Sequence, residues 1–486
     1  MDIRISPSNL NGCVQAVSSK SDVHRALICA AFADAPTEIS CNLLSKDIEA
    51  TVRCLSAAGA QIRADIDREK GSGSIKVVPV RGHLDNSGND FKKDNLTKED
   101  FKKSEREESE KIPELFCGES GSTLRFLTPV MAALGKTVLF TGEGELPNRP
   151  MDALLSVLQT HGCHTDGGSA ARTYLPLRIS GKLHGGIFEL PGNVSSQYIT
   201  GLLLAFPLLG ERAEIRLTTP LQSASYVDMT LDTMSRFGIA VQKTEQGFRL
   251  LKTEQPEYLE AEQSEHGKDE FLPYHSPGQY RSDGDWSNAA FWLCADRMNG
   301  NSIAVDGLRM ESLQGDRAIC DLLPIFRKQH CADDQGNFSY QFGCCSAHQG
   351  QLRIIDASNI PDLVPALAAL AAVIPGTTKI IRAERLRMKE CDRLSALSDV
   401  LGKMGAQIEE HTDGLTIEGV EDAGLPGGCE VSGHNDHRIV MAAAIAASAC
   451  RDSVVIKGAQ AVQKSYPHFF SDFKKLGGKA DVVDLR

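Results

Sequence analysis

A short amphipathic run that ends at a glycine and passes directly into a strand recurs along this chain, and that recurrence restricts the fold more than any other feature. Its clearest copy is Arg393-Leu-Ser-Ala-Leu-Ser-Asp-Val-Leu-Gly-Lys-Met-Gly405-Ala-Gln-Ile-Glu, in which Leu394, Leu397, Val400, Leu401 and Met404 fall three or four apart and share one helix face. Gly405 is placed to stop the helix by taking a positive φ. Related runs start near Ile48, Met151, Tyr226 and His468 and end at Gly59, Gly162, Gly238 and Gly477; a weaker sixth starts near Arg317 and ends Gln329-His330-Cys331, without its glycine. Successive starts lie 103, 75, 91, 76 and 75 residues apart, which predicts six copies of a unit near 75 residues.

The two long gaps each hold a polar segment, near 83–111 and 253–281, and both read as insertions. A second series of helices, over 26–33, 124–133, 198–205, 288–295, 363–373 and 439–449, is more hydrophobic than the first and suits a domain interior. Alternating helices and strands imply α/β layering, and 486 residues are too many for one core. Three repeats in each of two domains is the simplest division.

A net charge of −12 argues against general nucleic-acid binding while leaving room for a local basic pocket. The fourteen cysteines are scattered, with Cys29, Cys54, Cys294 and Cys450 at small core positions, which fits reduced thiols rather than disulfides or a zinc site. Cys344-Cys345 is the one pair in a polar setting. The start, Met-Asp-Ile-Arg-Ile, is a strand pattern, and the apolar runs of 361–375 and 439–450 are too short or broken to span a membrane. The expectation is a cytoplasmic protein.

Polar residues cluster just before the apolar helices: Lys20-Ser21 with Arg25, Ser122 with Arg125, Ser195-Ser196-Gln197, Asp362, and His437-Arg438. Unpaired N–H groups at a helix start, with a nearby cation, favour phosphate or carboxylate. Ser21, Ser122 and Ser195 also suit plain helix capping, and Arg125 and Arg438 also suit surface ion pairs. The run Arg382-Ala-Glu-Arg385-Leu-Arg387-Met-Lys389-Glu390-Cys-Asp392-Arg393 is denser in charge, and Lys389 with Glu390 would serve as a proton-transfer pair. No nucleotide-binding loop, dinucleotide fingerprint or HExxH sequence is present.

Taken in order, Ser19-Lys20-Ser21…Arg25, Gly121-Ser122…Arg125, Asn148-Arg149-Pro150, Ser195-Ser196-Gln197, Ile360-Pro-Asp362, Arg387-Met-Lys389-Glu390-Cys-Asp392-Arg393-Leu, Asn435-Asp-His437-Arg438 and Lys464-Ser-Tyr-Pro467 resemble the 5-enolpyruvylshikimate-3-phosphate synthase family. The resemblance runs from about residue 5 to the C-terminus. It implies a two-domain inside-out α/β barrel with three helix-strand repeats per domain. One domain would comprise 1–17 and 283–486, the other 18–282. It implies transfer of enolpyruvyl from phosphoenolpyruvate to the 5-hydroxyl of shikimate 3-phosphate, by addition and elimination through a tetrahedral intermediate. No metal, organic cofactor, nucleic acid or membrane is called for, and a monomer is expected.

Carried over residue by residue, Lys20, Gly121, Arg149, Arg393, Arg438 and Lys464 would bind phosphoenolpyruvate. Ser21, Arg25, Ser195, Ser196, Gln197, Ser223, Tyr226 and Lys389 would bind shikimate 3-phosphate. Asp362 would orient the 5-hydroxyl and take its proton, Glu390 would handle the methylene proton, and Lys20, His437 and Lys464 would assist proton transfer or phosphate departure. Four features depart from the family pattern: Val17-Ser18 in place of Pro-Gly, Glu119 in place of asparagine, Arg385 where many members have asparagine, and the two long insertions. Two alternatives stand beside this reading: an enolpyruvyl transferase acting on UDP-N-acetylglucosamine, whose characteristic cysteine loop is not evident, and a catalytically silent binder of a phosphorylated metabolite.

Overall fold

Strand Leu352–Asp356 runs parallel to strand Gly376–Ile381, and between them the chain forms the helix Val364–Val373, every residue of which is buried. The amphipathic helix Arg393–Lys403 follows, then the hairpin Gln407–His411 and Gly414–Gly419, whose second strand pairs antiparallel with Gly376–Ile381. Among the described residues the same pairing pattern, one parallel and two antiparallel, recurs in all five four-stranded sheets; a sixth sheet pairs Asn11–Gln15 with Ser302–Asp306. The structure is a computed structural model that describes residues 1–67, 71–80, 112–167, 173–251, 274–298, 300–326, 352–420 and 424–483. Cys344-Cys345, the 83–111 segment and the Gln329–Cys331 end of the sixth amphipathic run lie outside the described residues.

The chain forms two compact units. One contains Met1–Ser19, Ser223–Ser225 and Asp283–Arg486; the other contains Lys20–Gln222 and Tyr226–Ser282. Each holds three of the six sheets. In the first, strand Asp2–Ser6 is inserted between Val454–Lys457 and Lys479–Val483, so the start of the chain completes a sheet built from its end. In the second, Gln279–Arg281 returns to pair parallel with Thr37–Ser40.

That last pairing corrects the extent of the insertion expected over 253–281. Residues 274–281 belong to the unit: Tyr274 is fully buried, its hydroxyl donates to the Leu204 carbonyl (2.8 Å), and Gln279–Arg281 is an edge strand. Short polar composition misled here because an edge strand has one solvated side. The helix expected from Arg317 is also corrected. It is broken into Gly315–Ala318, Ile319–Leu322 and Leu323–Phe326. Pro324 has no N–H to give the Cys320 carbonyl, so a continuous α-helix is lost there.

The other amphipathic helices form as expected: Lys46–Ala57, Asp152–Thr160, Ala224–Arg236, Arg393–Lys403 and Phe469–Lys475. Leu394, Leu397, Val400, Leu401 and Met404 are all buried. Each such leucine contributes about 1.5–3 kcal/mol relative to exposure. At the end of this helix the Ala406 N–H donates to the Leu401 carbonyl and the Gly405 N–H to the Gly402 carbonyl, both at 2.9 Å, with Gly405 at φ 102. The same pair of bonds closes the helices at Gly59, Gly238 and Gly477.

The apolar helices are Lys20–Ala31, Gly121–Ala133 and Ser196–Ala205 in one unit, and Trp286–Asp296, Val364–Val373 and His437–Ser448 in the other. Two of them approach closely. Pro129 leaves the Arg125 carbonyl without its helical N–H partner, and Gly201 lies against that carbonyl; a Cβ there would sit 2.9 Å from Pro129 Cγ and nearer still to the oxygen. Among the described residues no helix is long and apolar enough to cross a membrane.

Replacing Gly405 by alanine forces a side chain into a left-handed position and puts its Cβ 2.5 Å from Pro426 Cδ. Urea denaturation should show a loss of about 1–3 kcal/mol. Gly300→Ala, also at positive φ but with nothing within 4 Å of the new Cβ, should lose less.

Candidate active site

The polar residues singled out before the apolar helices sit at or near the N-terminal ends of those helices, and each unit carries its own set. In the unit that begins at Lys20, Lys20 Nζ donates to Asp47 Oδ2 at 2.7 Å. Arg25 is buried, and donates to the Ser21 carbonyl (2.5 Å), the Tyr226 carbonyl (2.8 Å), Thr230 Oγ1 (2.8 Å) and Thr200 Oγ1 (3.4 Å). Burial pushes its pKa down to about 10, against the opposing pull of Asp22. These bonds use most of its five N–H donors, so Arg25 fixes the backbone at Ser21 and Tyr226.

Arg125, on the following apolar helix, acts in a similar way. Its Nη1 donates to Gln197 Oε1 (2.6 Å), and Gln197 Nε2 donates in turn to Ser122 Oγ (3.0 Å). Its Nη2 donates to the Pro150 carbonyl (3.0 Å), which also accepts from the Tyr198 hydroxyl (2.5 Å). The Arg149 loop is therefore held from two sides. Arg149 itself is buried and lies over Gly121: a Cβ on Gly121 would be 2.8 Å from Arg149 Nη1 and 3.0 Å from its Cζ.

Among the serines, Ser195 caps the helix Ser196–Ala205, its Oγ accepting from the Gln197 N–H at 3.3 Å, while Ser120 and not Ser122 caps the helix Gly121–Ala133. Ser196 is buried in the first turn. The carboxylate of Glu119 lies against Gly144 in the 142–145 loop.

In the other unit the charged groups are denser. Arg393 is 1% exposed and ringed by carboxylates: Nε meets Asp436 Oδ2 (2.7 Å), Nη1 meets Asp362 Oδ1 (2.9 Å), and Nη2 meets Glu390 Oε2 (2.7 Å) and Asp436 Oδ1 (3.3 Å). Burial alone would lower the pKa of Arg393, but Asp436, Glu390 and Asp362 together raise it well above the ordinary value. Arg438 reaches Asp362 from another side, with Nη1 donating to its carbonyl (3.1 Å) and Nη2 lying 3.4 Å from Oδ2. Lys389 Nζ stands 3.7 Å from Asp362 Oδ1. Desolvation first, then the nearby Arg393 and Arg385, bring the Lys389 pKa down to about 8, with Asp362 pulling the other way.

Sequence reasoning did not pick out Asp436. It is fully buried, it caps the helix His437–Ser448 by accepting from the Arg438 N–H (2.8 Å), and it grips Arg393. Burial would raise its pKa, and the Arg393 guanidinium wins, holding it below the ordinary carboxylate value. His437 is buried beside it, Nδ1 3.8 Å from Asp436 Oδ1. The backbone turns into this cap through His434 and Asn435, both at positive φ (48° and 50°), and Lys464 Nζ donates to the Asn435 carbonyl at 2.5 Å.

Asp47 and Asp316 were also missed. Asp316 is buried, accepts a hydrogen bond from Ser287, and has its pKa raised to about 7, by burial first and then by Asp362. Ser223 belongs to this unit too. Its N–H donates to Asn359 Oδ1 (3.0 Å) and its hydroxyl accepts from Arg385 Nη1 (2.9 Å). At the altered Val17-Ser18 segment, the Val17 carbonyl accepts from the Asp285 N–H (2.8 Å) and Ser18 bridges to Gly284.

Cationic side chains at helix starts, interleaved with oriented carboxylates on a two-unit α/β chain, suit the binding of anionic substrates, and the comparisons give the class, the enolpyruvyl transferases. The sequence profile described as EPSP synthase (3-phosphoshikimate 1-carboxyvinyltransferase) matches residues 5–90 and 83–473. The 3-phosphoshikimate 1-carboxyvinyltransferase of Clostridium acetobutylicum is 40% identical over 479 residues, covering 98% of this chain and 97% of the relative. That of Clostridium novyi is 40% identical over 481 residues, covering 99% and 98%. An EPSP synthase structure from Acinetobacter baumannii superposes with a TM-score of 0.70 at 21% identity, covering 99% of this chain and all of the other. The enolpyruvyl transferase NikO from Streptomyces tendae shares the fold, with a TM-score of 0.65 at 15% identity.

This chain belongs to the EPSP synthase family. It transfers the enolpyruvyl group of phosphoenolpyruvate to shikimate 3-phosphate, a step of the shikimate pathway toward the aromatic amino acids.

Gly121→Ala pushes a methyl group into the Arg149 guanidinium. On the expectation that Arg149 binds phosphoenolpyruvate, steady-state kinetics should show KM for that substrate rising roughly tenfold, the equivalent of about 1.4 kcal/mol. Arg393→Ala strands the buried Asp436 without its cation. Chemical denaturation should register a loss of about 3–5 kcal/mol.

Proposed function

We propose that Asp362 orients and deprotonates the 5-hydroxyl of shikimate 3-phosphate while Glu390 delivers and later removes the methylene proton of phosphoenolpyruvate. The observation that carries this reading is the ring around Arg393: one buried guanidinium bonds both acids, through Nη1 and Nη2, so the two are held in fixed relation. Addition requires the alcohol to lose a proton while C3 of the enol gains one, giving a tetrahedral ketal. Elimination returns the proton and expels phosphate. Two carboxylates braced by a common cation suit opposite proton transfers on neighbouring atoms.

Lys20, Arg149, Arg393, Arg438 and Lys464, with Gly121 beneath Arg149, are assigned to the phosphoenolpyruvate anion. Ser21, Ser195, Ser196, Gln197, Ser223, Tyr226 and Lys389 are assigned to shikimate 3-phosphate, with Arg25 setting the Ser21 and Tyr226 backbone. Lys20, His437 and Lys464 are further candidates for moving a proton or easing phosphate departure. The reading needs no metal and no organic cofactor. It takes each unit as three repeats in an inside-out α/β barrel, with a discontinuous domain of 1–17 and 283–486 and a second domain of 18–282. It takes the chain to act as a cytoplasmic monomer.

Phosphate release from phosphoenolpyruvate should depend on shikimate 3-phosphate and should not be supported by UDP-N-acetylglucosamine. Asp362→Asn and Glu390→Gln should each lower kcat by roughly 10²–10⁴-fold in that assay. Release unaffected by either substitution would remove both assignments.

A further inference from the structure

The 3-10 turn Glu384–Met388 is pinned by Leu386, which is fully buried, and from it Arg385 and Arg387 diverge. Arg387 turns to Asp392, Glu410 and the carbonyls of His411 and Thr412. Arg385 turns instead to Ser223, and its Nη1 donates to Ser223 Oγ at 2.9 Å. Ser223 is 1% exposed and held at φ 55, a strained conformation for a residue with a side chain, with its N–H tied to Asn359. A hydroxyl that accepts a guanidinium N–H has its own proton directed elsewhere, so Arg385 sets Ser223 as a donor. Arg385 also stands close enough to Lys389 to depress its pKa. Two cations that repel each other, beside an oriented hydroxyl, match a dianionic oxyanion with several acceptor oxygens better than a single carboxylate.

We propose that Arg385 is a positioning and specificity-determining residue for the phosphate group of shikimate 3-phosphate: it orients the Ser223 hydroxyl toward the phosphate and adds a second positive charge beside Lys389. The inference rests on the reading that Ser223 and Lys389 bind this phosphate. Arg385 lends the site charge and also contributes, after burial and Arg393, to the lowered pKa of Lys389. The charged groups acting on Lys389 are Asp362 and Glu390, which favour its protonated form, and Arg393 and Arg385, which oppose it. Loss of the Arg385 charge therefore raises the Lys389 pKa, and the loss of substrate affinity that follows Lys389 deprotonation moves to higher pH.

The test is steady-state kinetics of Arg385→Asn, Arg385→Lys and Lys389→Met in the full-length protein, with phosphate release as the readout. Arg385→Asn is expected to raise KM for shikimate 3-phosphate roughly tenfold, as loss of a charged hydrogen-bond donor does. KM for phosphoenolpyruvate should not move, and the preference for shikimate 3-phosphate over unphosphorylated shikimate should shrink. The alkaline limb of the KM profile should shift upward in Arg385→Asn and stay in place in Arg385→Lys, which keeps the charge. If both KM values rise together, with a lower thermal midpoint and no pH shift, Arg385 only braces the Ser223 segment and the proposal falls. If Lys389→Met leaves KM for shikimate 3-phosphate unchanged, the underlying phosphate assignment fails. A response to Lys389→Met without one to Arg385→Asn rejects the role of Arg385 alone.

Discussion

The grip of Asp436 on Arg393 is the contact from which the rest of its unit's chemistry follows. One carboxylate, removed from solvent, closes the N-terminus of a buried helix through the Arg438 N–H and takes two nitrogens of Arg393. A charge so deep in the protein is tolerable only with its partner in place. Because the partner is a planar fork and not a point charge, fixing two of its nitrogens fixes the third, and Asp362 and Glu390 inherit their positions from it. Arg438, starting from the same cap, returns to Asp362. Two arginines and three acids are thus oriented from a single helix start.

Charge balance within this group has its own logic. Asp362, Glu390 and Asp436 face Arg393, Arg438 and Lys389, so the cluster is close to neutral when all six are ionised. Lys389 has its pKa brought down to about 8, because burial first, and then Arg393 and Arg385, work against its charge. The other unit builds its cations differently. Lys20 is held by Asp47, and Arg25 and Arg125 spend their donors on neutral carbonyls, hydroxyls and an amide. They shape the backbone around Ser21, Pro150 and Gln197.

The helices were legible because their signals are long: a 3.6-residue apolar face followed by glycine leaves little else to form, and Gly59, Gly162, Gly238, Gly405 and Gly477 all take positive φ. The short strands Thr37–Ser40, Glu114–Phe116, Gln279–Arg281 and Glu430–Ser432 were not, because three or four residues are too few for an alternation to stand out. The candidate site residues were read from ordered short motifs, which name a side chain without naming what holds it. Asp436 lay inside one such motif unremarked, since its partner is 43 residues away. Asp47, Asp316 and the Arg385–Ser223 bond were hidden for the same reason. The break at Pro324, by contrast, was written in the sequence and outweighed by the periodicity around it.

The close approach of Gly201 to the Arg125 carbonyl gives the Ser122–Arg125–Gln197 chain its character. Main chain approaches main chain there, with the Pro129 ring beside the contact. The polar tips of both helices are therefore coupled as though on one rigid bracket: whatever displaces Gln197 must carry Arg125, and through Pro150 the Arg149 loop, along with it. A side chain added at Gly201 would therefore press on the backbone that carries Arg125, and so bear on Gln197, without touching either polar tip.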